Sequence, residues 1–295
     1  MSWSTAFDDL GTTVASRDQL LASGASSRSL TTAVRGRHLI RVRRDHYAQP
    51  GTPGPIIQAV RVGGRIGCLT ALADAGIFAI DQTLTHVHLD RAASRLRHPT
   101  KPGRLLPSRG HERIETHWSP LLDRFDGSEV SVGIRDALAQ VVACQDGRYA
   151  IASLDNALFL RAISLTGLRE IFASLSQHYA PLMTRVDGRA EAGQETILRL
   201  LCEDAGLHCE IQVIFAGIGR VDLVVEGLVV VEADSRLAHD GWELHVRDRN
   251  RDIDLAMLGL PSLRPAYQRT MHRPQDVLEA VLGLLAAVGH FRVHV

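Results

Sequence analysis

The stretch that most constrains this chain is Gly219 to Asp234, GRVDLVVEGLVVVEAD, in which β-branched residues and acids are disposed around a central glycine. Runs rich in valine on either side of Gly227 predict two strands joined by a tight turn. Asp222 and Glu232 each lie five residues from Gly227, so a three-residue turn centred there pairs 222 with 232 and 220 with 234. Paired residues share a face of the sheet, as do residues two apart on one strand, which places Asp222, Glu232 and Asp234 on the same side. A two-residue turn would instead set Asp222 and Glu232 on opposite faces. Three adjacent carboxylates repel, and burying them unpaired is costly, so such a cluster needs protons or a cation. A hard divalent ion with oxygen ligands is the natural partner. The alternative is a half-exposed strand on which Glu226, Glu232 and Asp234 are simply solvated.

The flanking sequence predicts a setting for these acids. Upstream, Glu195 lies in GQETILRLLCEDAGL, where Ile197, Leu198, Leu201 and Ala205 form the apolar stripe of a helix that Glu195 borders. The run CEIQVIF reads as a strand. Beyond the hairpin come His239, the polar run HVRDRNRDIDLAMLGL, a strand at Ser262 to Pro265 and a helix from Pro274 to Ala287. The predicted order is helix, three strands, helix, strand, helix. In the polar run, Arg247, Arg249 and Arg251 alternate with Asp248, Asp252 and Asp254, which suits either an ion-paired helix face or a phosphate clamp.

Glu195, Asp222, Glu232-Ala-Asp234, His239, Arg251-Asp252, Gly259 and Arg264 together resemble the Vsr-like branch of the PD-(D/E)XK nuclease superfamily, a C-terminal domain in many actinobacterial proteins. The resemblance covers about the last hundred residues and implies a restriction-endonuclease-like mixed sheet flanked by helices. It further implies that the helix Glu, hairpin Asp and strand acids gather Mg²⁺ or Mn²⁺ for phosphodiester hydrolysis. Asp222 and Glu232 would then be primary metal ligands, Glu195 and Asp234 secondary or water-mediated ones, and His239 a general acid or base. Arg247 and Arg251 become DNA-contacting candidates. At Ser235 the chain departs from the glycine usual there, and it has no lysine near the site to steady a developing anion.

The N-terminal fifty residues carry a second pattern. Ser16 is placed to cap a helix through Ala22, Gly24 breaks it, and Ser26 or Ser27 caps another through Arg35. HLIRVRRDHYA then alternates apolar and basic residues as a short hairpin would. Helix, turn, helix and basic wing predict a winged helix-turn-helix. No acid interrupts 19–44, while Arg28, Arg35, Arg37, Arg41, Arg43 and Arg44 accumulate there, a local field suited to DNA phosphates. Arg28, Thr31 and Thr32 would lie at the major-groove face of the second helix. Alternatively Leu20, Leu21, Leu30, Val34, Leu39 and Val42 are a small core and the arginines only its surface. The stretch LLASGASSRSLTTAVRGRHLIRVRRDHYA resembles the winged-helix domain of AbiE-type antitoxins of type IV toxin-antitoxin systems, which implies DNA and a protein partner.

The intervening region is less informative. Pro50, Pro53 and Pro55 suggest a linker, 66–80 holds a helical run, HVHLD and IETHWS suggest strands with Trp118 in or beside the core, and 98–111 reads as a loop. Helices are expected over Ile134 to Val142, Ile151 to Ile163 and Leu168 to Ser176. His86, His88, His111 and His117 raise a metal site, but neither cysteine nor carboxylate is evidently placed to complete it. Cys68, Cys144, Cys202 and Cys209 show no metal-ligand spacing and read as buried thiols of a reducing cytoplasm.

The charge is balanced, 33 basic residues against 33 acidic, so any nucleic-acid field must be local. No signal peptide is evident and no apolar run reaches membrane-spanning length, which points to a cytoplasmic protein without a membrane partner. The expectation is therefore an α/β (α+β) multidomain chain: a winged helix at 1–50, a mixed α+β linking domain at 51–188 and a nuclease-like domain at 189–295. Two functions fit: a DNA-binding, divalent-metal-dependent endonuclease, for which a homodimer would supply the second cut, or a non-catalytic DNA-binding regulator or antitoxin with a degenerate nuclease-like domain.

Overall fold

The computed structural model describes residues 2–80, 83–107, 113–233 and 242–293. The chain has a mixed α/β architecture, with three sheets among the described residues, and divides into two compact units, Met1–Cys144 with Thr166–Gln177, and Gln145–Leu165 with His178–Val295. Among the described residues no helix is long and apolar enough to cross a membrane.

The first unit opens with α1 (Trp3–Asp9), β1 (Val14–Ser16), α2 (Arg17–Ala22), α3 (Ser27–Arg35), β2 (Ile40–Arg43) and β3 (His46–Ala48). Both central helices begin at reciprocal caps. The Ser16 hydroxyl accepts from Gln19 N while the Gln19 amide oxygen accepts from Ser16 N, and Ser26 and Ser29 repeat the exchange. The strands form an antiparallel sheet in the order β1-β3-β2. Phe7, Ala15, Leu20, Leu30, Ala33, Leu39 and Tyr47 fill the core beneath them. This is the helix, helix, ribbon arrangement of a winged helix, with β1 as the third strand.

The unit continues through α4 (Gly54–Val62), β4 (Arg65–Ile66), α5 (Cys68–Asp74), β5 (Thr85–His88), β6 (Ile114–His117) and α6 (Ile134–Cys144). The expected linker is thus largely a helix: Pro55 stands in the first turn of α4, where a missing backbone N–H costs nothing and a fixed φ favours helical entry. The second sheet has the order β4-β5-β6, antiparallel across β4 and β5 and parallel across β5 and β6. Trp118, expected in or beside the core, is exposed just past β6, its indole N–H donating to Thr116 Oγ1.

Next come α7 (Gly147–Phe159), α8 (Leu165–Ser174), α9 (Ala180–Met183) and α10 (Gly193–Asp204). Of these, α8 belongs to the first unit, whereas α7 packs on α10 in the second, so the boundary expected at residue 188 does not divide the two packed bodies. The reason is long-range: buried Asp155 of α7 pairs with Arg199 of α10. The second unit then carries β7 (Cys209–Phe215), β8 (Gly219–Val225), β9 (Val229–Val231), α11 (Trp242–Met257), β10 (Ser262–Leu263), α12 (Tyr267–His272) and α13 (Pro274–Val293). Its sheet order is β10-β9-β8-β7, with β10 parallel to β9 and the remaining pairs antiparallel. Leu223, Val225, Val229 and Val231 pack with Leu198 and Leu201 of α10 and Val277 and Val281 of α13. Val224 and Val230 pack with Leu255 and Leu260 on the α11 side. Alternation along β8 and β9 thus leaves both sheet faces covered.

Candidate active site

The acid cluster is built on the β8–β9 hairpin. The paired residues are Leu223 with Val231, Val224 with Val230 and Val225 with Val229, so the ladder is centred on Gly227, as the symmetric spacing predicts. Leu228 N donates to Val225 O at 2.9 Å and closes a three-residue turn, 226–228. Glu226 and Gly227 both adopt left-handed φ, at 52° and 64°. For a non-glycine residue this costs about 1–2 kcal/mol, and contacts to His208 hold it: Glu226 N donates to His208 O, and His208 N donates to Glu226 Oε1 at 2.6 Å. Glu226 thereby anchors the turn while remaining exposed.

One step beyond the last ladder pair, Asp222 falls opposite Glu232. Asp222 Oδ2 accepts from Ala233 N at 2.9 Å, and Glu232 N donates to Leu263 O at 3.0 Å, which ties the end of β9 to β10. Glu232 is buried and its two carboxylate oxygens face different guanidinium groups, Arg251 Nη2 at 2.5 Å and Arg264 Nη2 at 2.7 Å. Arg264 also reaches Asp252 Oδ1 at 3.0 Å, which Ser262 Oγ supports at 3.1 Å. Arg251 additionally donates to the Arg220 carbonyl. The alternating charges of α11 thus ion-pair inward toward the hairpin through Arg251 and Asp252, while Arg249 is exposed and pairs with Asp252 along the helix.

Glu195 comes from the first turn of α10 and is buried. Its oxygens accept from Glu191 N at 3.0 Å, Ala192 N at 2.9 Å and Gln212 Nε2 at 2.8 Å. Gln212 lies between the pairs Ile211–Leu223 and Val213–Val221, so it stands opposite Asp222, and its φ is 57°. Its side-chain oxygen is buried without a hydrogen-bond partner.

Burial and then the charge of Asp222 push Glu195 up to about 7. Burial also raises Asp222 against the opposing effects of Ala233 N, Arg220 and Arg251. It raises Glu232 even though Arg264 and Arg251 pull the other way. All three acids therefore hold protons more tightly than free carboxylates. A bound divalent cation would relieve that repulsion, and the donor set is hard oxygen throughout, with the orphaned Gln212 Oε1 beside it. The residues fit Mg²⁺ or Mn²⁺ by chemistry. They do not converge to the spacing of a closed metal site: among the described residues, the only three or more candidate ligands whose donor atoms all lie within 4.8 Å of one another are Cys68, His86, His117 and Cys144. Asp234, Ser235 and His239 lie outside the described residues, as does the side chain of Arg247.

No protein-family model and no curated protein sequence matches the chain.

On the winged helix, Arg28, Thr31, Thr32 and Arg35 are exposed along α3, and Arg37, Arg41 and Arg44 are exposed beyond it. The Thr31 hydroxyl donates to Ser27 O. Arg43 departs from this set. A register shift between Arg41 and Arg43 in β2 turns its half-buried side chain to α4, with Nη1 3.5 Å from Val60 O.

The cysteine reading is corrected as well. Cys68 and Cys144 join His86 and His117 in one cluster, although His88 Nδ1 instead accepts from Gln140 Nε2, 3.1 Å away, and His111 lies outside the described residues. Sequence inspection missed the set because its members come from four separate elements. The available signal was the alternation His86, His88 on one strand together with a histidine near the end of the next.

Proposed function

We propose that the chain is a DNA-binding, Mg²⁺- or Mn²⁺-dependent endonuclease related to the Vsr-like PD-(D/E)XK nucleases, with an AbiE-like winged helix as its DNA-gripping part. The observation that carries this reading is the burial of Glu195 and Glu232 beside half-buried Asp222, on a hairpin and an adjacent helix, with Glu195 and Glu232 each feeling the charge of Asp222.

In this reading Asp222 and Glu232 would hold the ion, with Glu195 and Asp234 as secondary or water-mediated ligands. Such an ion, when bound, activates a water and offsets charge on the scissile phosphate and leaving oxygen. Glu195 is oriented by two backbone N–H groups and by Gln212, which fixes where its carboxyl can accept a proton. His239 serves as general acid or base. Arg251 and Arg264 exchange a carboxylate for a phosphate oxygen when the strand enters. The exposed arginines of α3 and the wing hold the duplex. The protein acts in the cytoplasm, and a homodimer would cut both strands.

One observation favours a second reading. Glu232 is already neutralised by Arg251 and Arg264, which is how a nuclease-like fold would satisfy its acids after losing the metal. The protein would then be a DNA-binding regulator or antitoxin with a protein partner.

Supercoiled-plasmid nicking with Mg²⁺ or Mn²⁺ tests the two, run on the wild type beside folded Asp222→Ala and Glu232→Ala. Conversion to nicked or linear DNA by the wild type alone supports the endonuclease. Salt-dependent DNA binding by all three, with no cleavage of plasmid, mismatched or single-stranded DNA, supports the regulator.

A further inference from the structure

The second sheet is too small to explain its own order. Its strands are two, four and four residues long. The connection between the two longest, β5 and β6, runs over 89–113. A connection of that length is uncommon within a compact unit.

At the end of this sheet four side chains meet. Cys68 opens α5, directly after β4, and turns there with a left-handed φ of 48°. His86 lies in β5, His117 ends β6, and Cys144 ends α6. The ladder pairs His86 with Glu115 and His88 with His117, so His86 and His117 are diagonal neighbours on one face. Cys68 and His86 are buried, whereas His117 and Cys144 are partly exposed, which gives the cluster both a dry floor and an entry path. One nitrogen or sulfur from each residue lies within 4.8 Å of all the others. His86 Nδ1 and His117 Nε2 are 3.0 Å apart, with the rings inclined by only 19°. Two imidazole nitrogens on a tetrahedral zinc ion, with Zn–N near 2.0–2.1 Å, stand about 3.3 Å apart.

We infer that Cys68, His86, His117 and Cys144 form a tetrahedral Cys₂His₂ site for a structural Zn²⁺ ion. Two thiolates and two imidazoles in a closed set of four match zinc by ligand type, number and spacing, and they differ in kind from the all-oxygen set on the β8–β9 hairpin.

The surroundings support the ligands as a metal site's neighbours do. Gln140 on α6 accepts from Cys68 N at 2.9 Å through its side-chain oxygen and engages His88 Nδ1 at 3.1 Å through its nitrogen. His88 is thereby occupied outside the cluster. Thr70 Oγ1 accepts from His86 N at 2.9 Å, and His86 O accepts from Gly67 N at 3.0 Å. A Cβ at Gly67 would stand 2.5 Å from the Gln140 side-chain oxygen, so the glycine there admits the residue that holds Cys68. The ion would join α5, β5, β6 and α6 at one point, a role independent of whether the second unit cleaves DNA.

The test is metal content and coordination of the full-length protein purified without added metal or chelator. Elemental analysis is expected to give about one zinc per chain. Cobalt(II) exchanged into the same protein should show the intense visible bands of a tetrahedral ion and thiolate-to-cobalt charge transfer. Cys68→Ser and His117→Gln should lose the zinc, while Cys202→Ser and Asp222→Ala keep it. Where a ligand variant does not fold, the cobalt spectrum of the wild-type chain decides alone. Four freely reactive thiols without bound metal, a Cys68–Cys144 disulfide in the intact mass, zinc retained by folded Cys68→Ser, or an octahedral cobalt spectrum lacking the thiolate band would each overturn the site.

Discussion

Arg199 places its Nη2 3.0 Å from Oδ2 of Asp155, with the two side chains only 6% and 0% exposed. The Asp155 carboxylate also accepts from Asp187 N at 2.7 Å and Thr196 Oγ1 at 2.8 Å, so its lone pairs are well used. Because Thr196 directly follows Glu195, this pair sets the rotation of α10 and hence the direction of the candidate metal ligand. Asp155→Ala leaves the buried Arg199 guanidinium with Glu203 as its remaining carboxylate, at 2.9 Å, so the loss is expected to fall below the about 3–5 kcal/mol of a buried charge left wholly unpaired. Urea unfolding should show that loss, whereas a change below about 1 kcal/mol would mean the pair relaxes into solvent.

The acids of the hairpin make stability depend on pH in an unusual direction. Glu195, Asp222 and Glu232 all have raised proton affinity in the folded state, Glu195 up to about 7. The folded chain therefore binds more protons than the unfolded chain between the ordinary carboxylate range and pH 7. Stability from these groups is complete below that range and is lost as pH rises through about 7. For Glu195 alone the span amounts to about 3 kcal/mol. Unfolding free energies measured in chelator from pH 5 to 8 should fall more steeply for the wild type than for Asp222→Asn, which removes the charge facing Glu195. Equal slopes would show that the three acids do not interact.

Much of this arrangement was legible in the sequence because it rests on local chemistry. The symmetry of Asp222 and Glu232 about Gly227 gives the register, and Ser16 and Ser26 mark the helix starts where they occur. The placement of α7 was hidden, since its partner Arg199 lies 44 positions away and nothing in either helix advertises the pair. The proline-rich start of α4 was misleading because the same residue that breaks a helix also begins one. Of the Cys68 to Cys144 cluster only the histidines gave a signal, for a topological reason: its spacing depends on a parallel β5–β6 pairing that no short motif encodes.

Arg264 bridges two acids, Glu232 at 2.7 Å and Asp252 at 3.0 Å. Its removal leaves Glu232 with Arg251 as its one remaining cationic partner among the described residues, which destabilises the fold. A divalent ion competing for the same carboxylate should then gain. In thermal melts, Arg264→Ala is expected to melt below the wild type in chelator and to gain more from Mg²⁺ than the wild type does. A variant that melts lower yet shows no larger Mg²⁺ response would place the ion away from Glu232.

Exposed Arg28 and Arg35 on α3 and half-buried Arg43 on β2 separate candidate DNA contacts from scaffold within one basic stretch. Each guanidinium that neutralises a phosphate contributes about one unit to the slope of log affinity against log salt. Arg28→Ala and Arg35→Ala should each weaken duplex binding uniformly across sequences and lower that slope by about one. Arg43 is turned to the Val60 carbonyl, and a Cβ at Gly63 would stand 2.9 Å from its Nη1. Arg43→Ala should consequently leave the slope unchanged and lower the melting temperature instead, through lost packing of its stem on α4. Fluorescence anisotropy at several salt concentrations, paired with melts of the same variants, reads both quantities. Should Arg43→Ala reduce the slope as much as Arg28→Ala does, the β2–β3 ribbon must reorient to present that side chain when DNA binds.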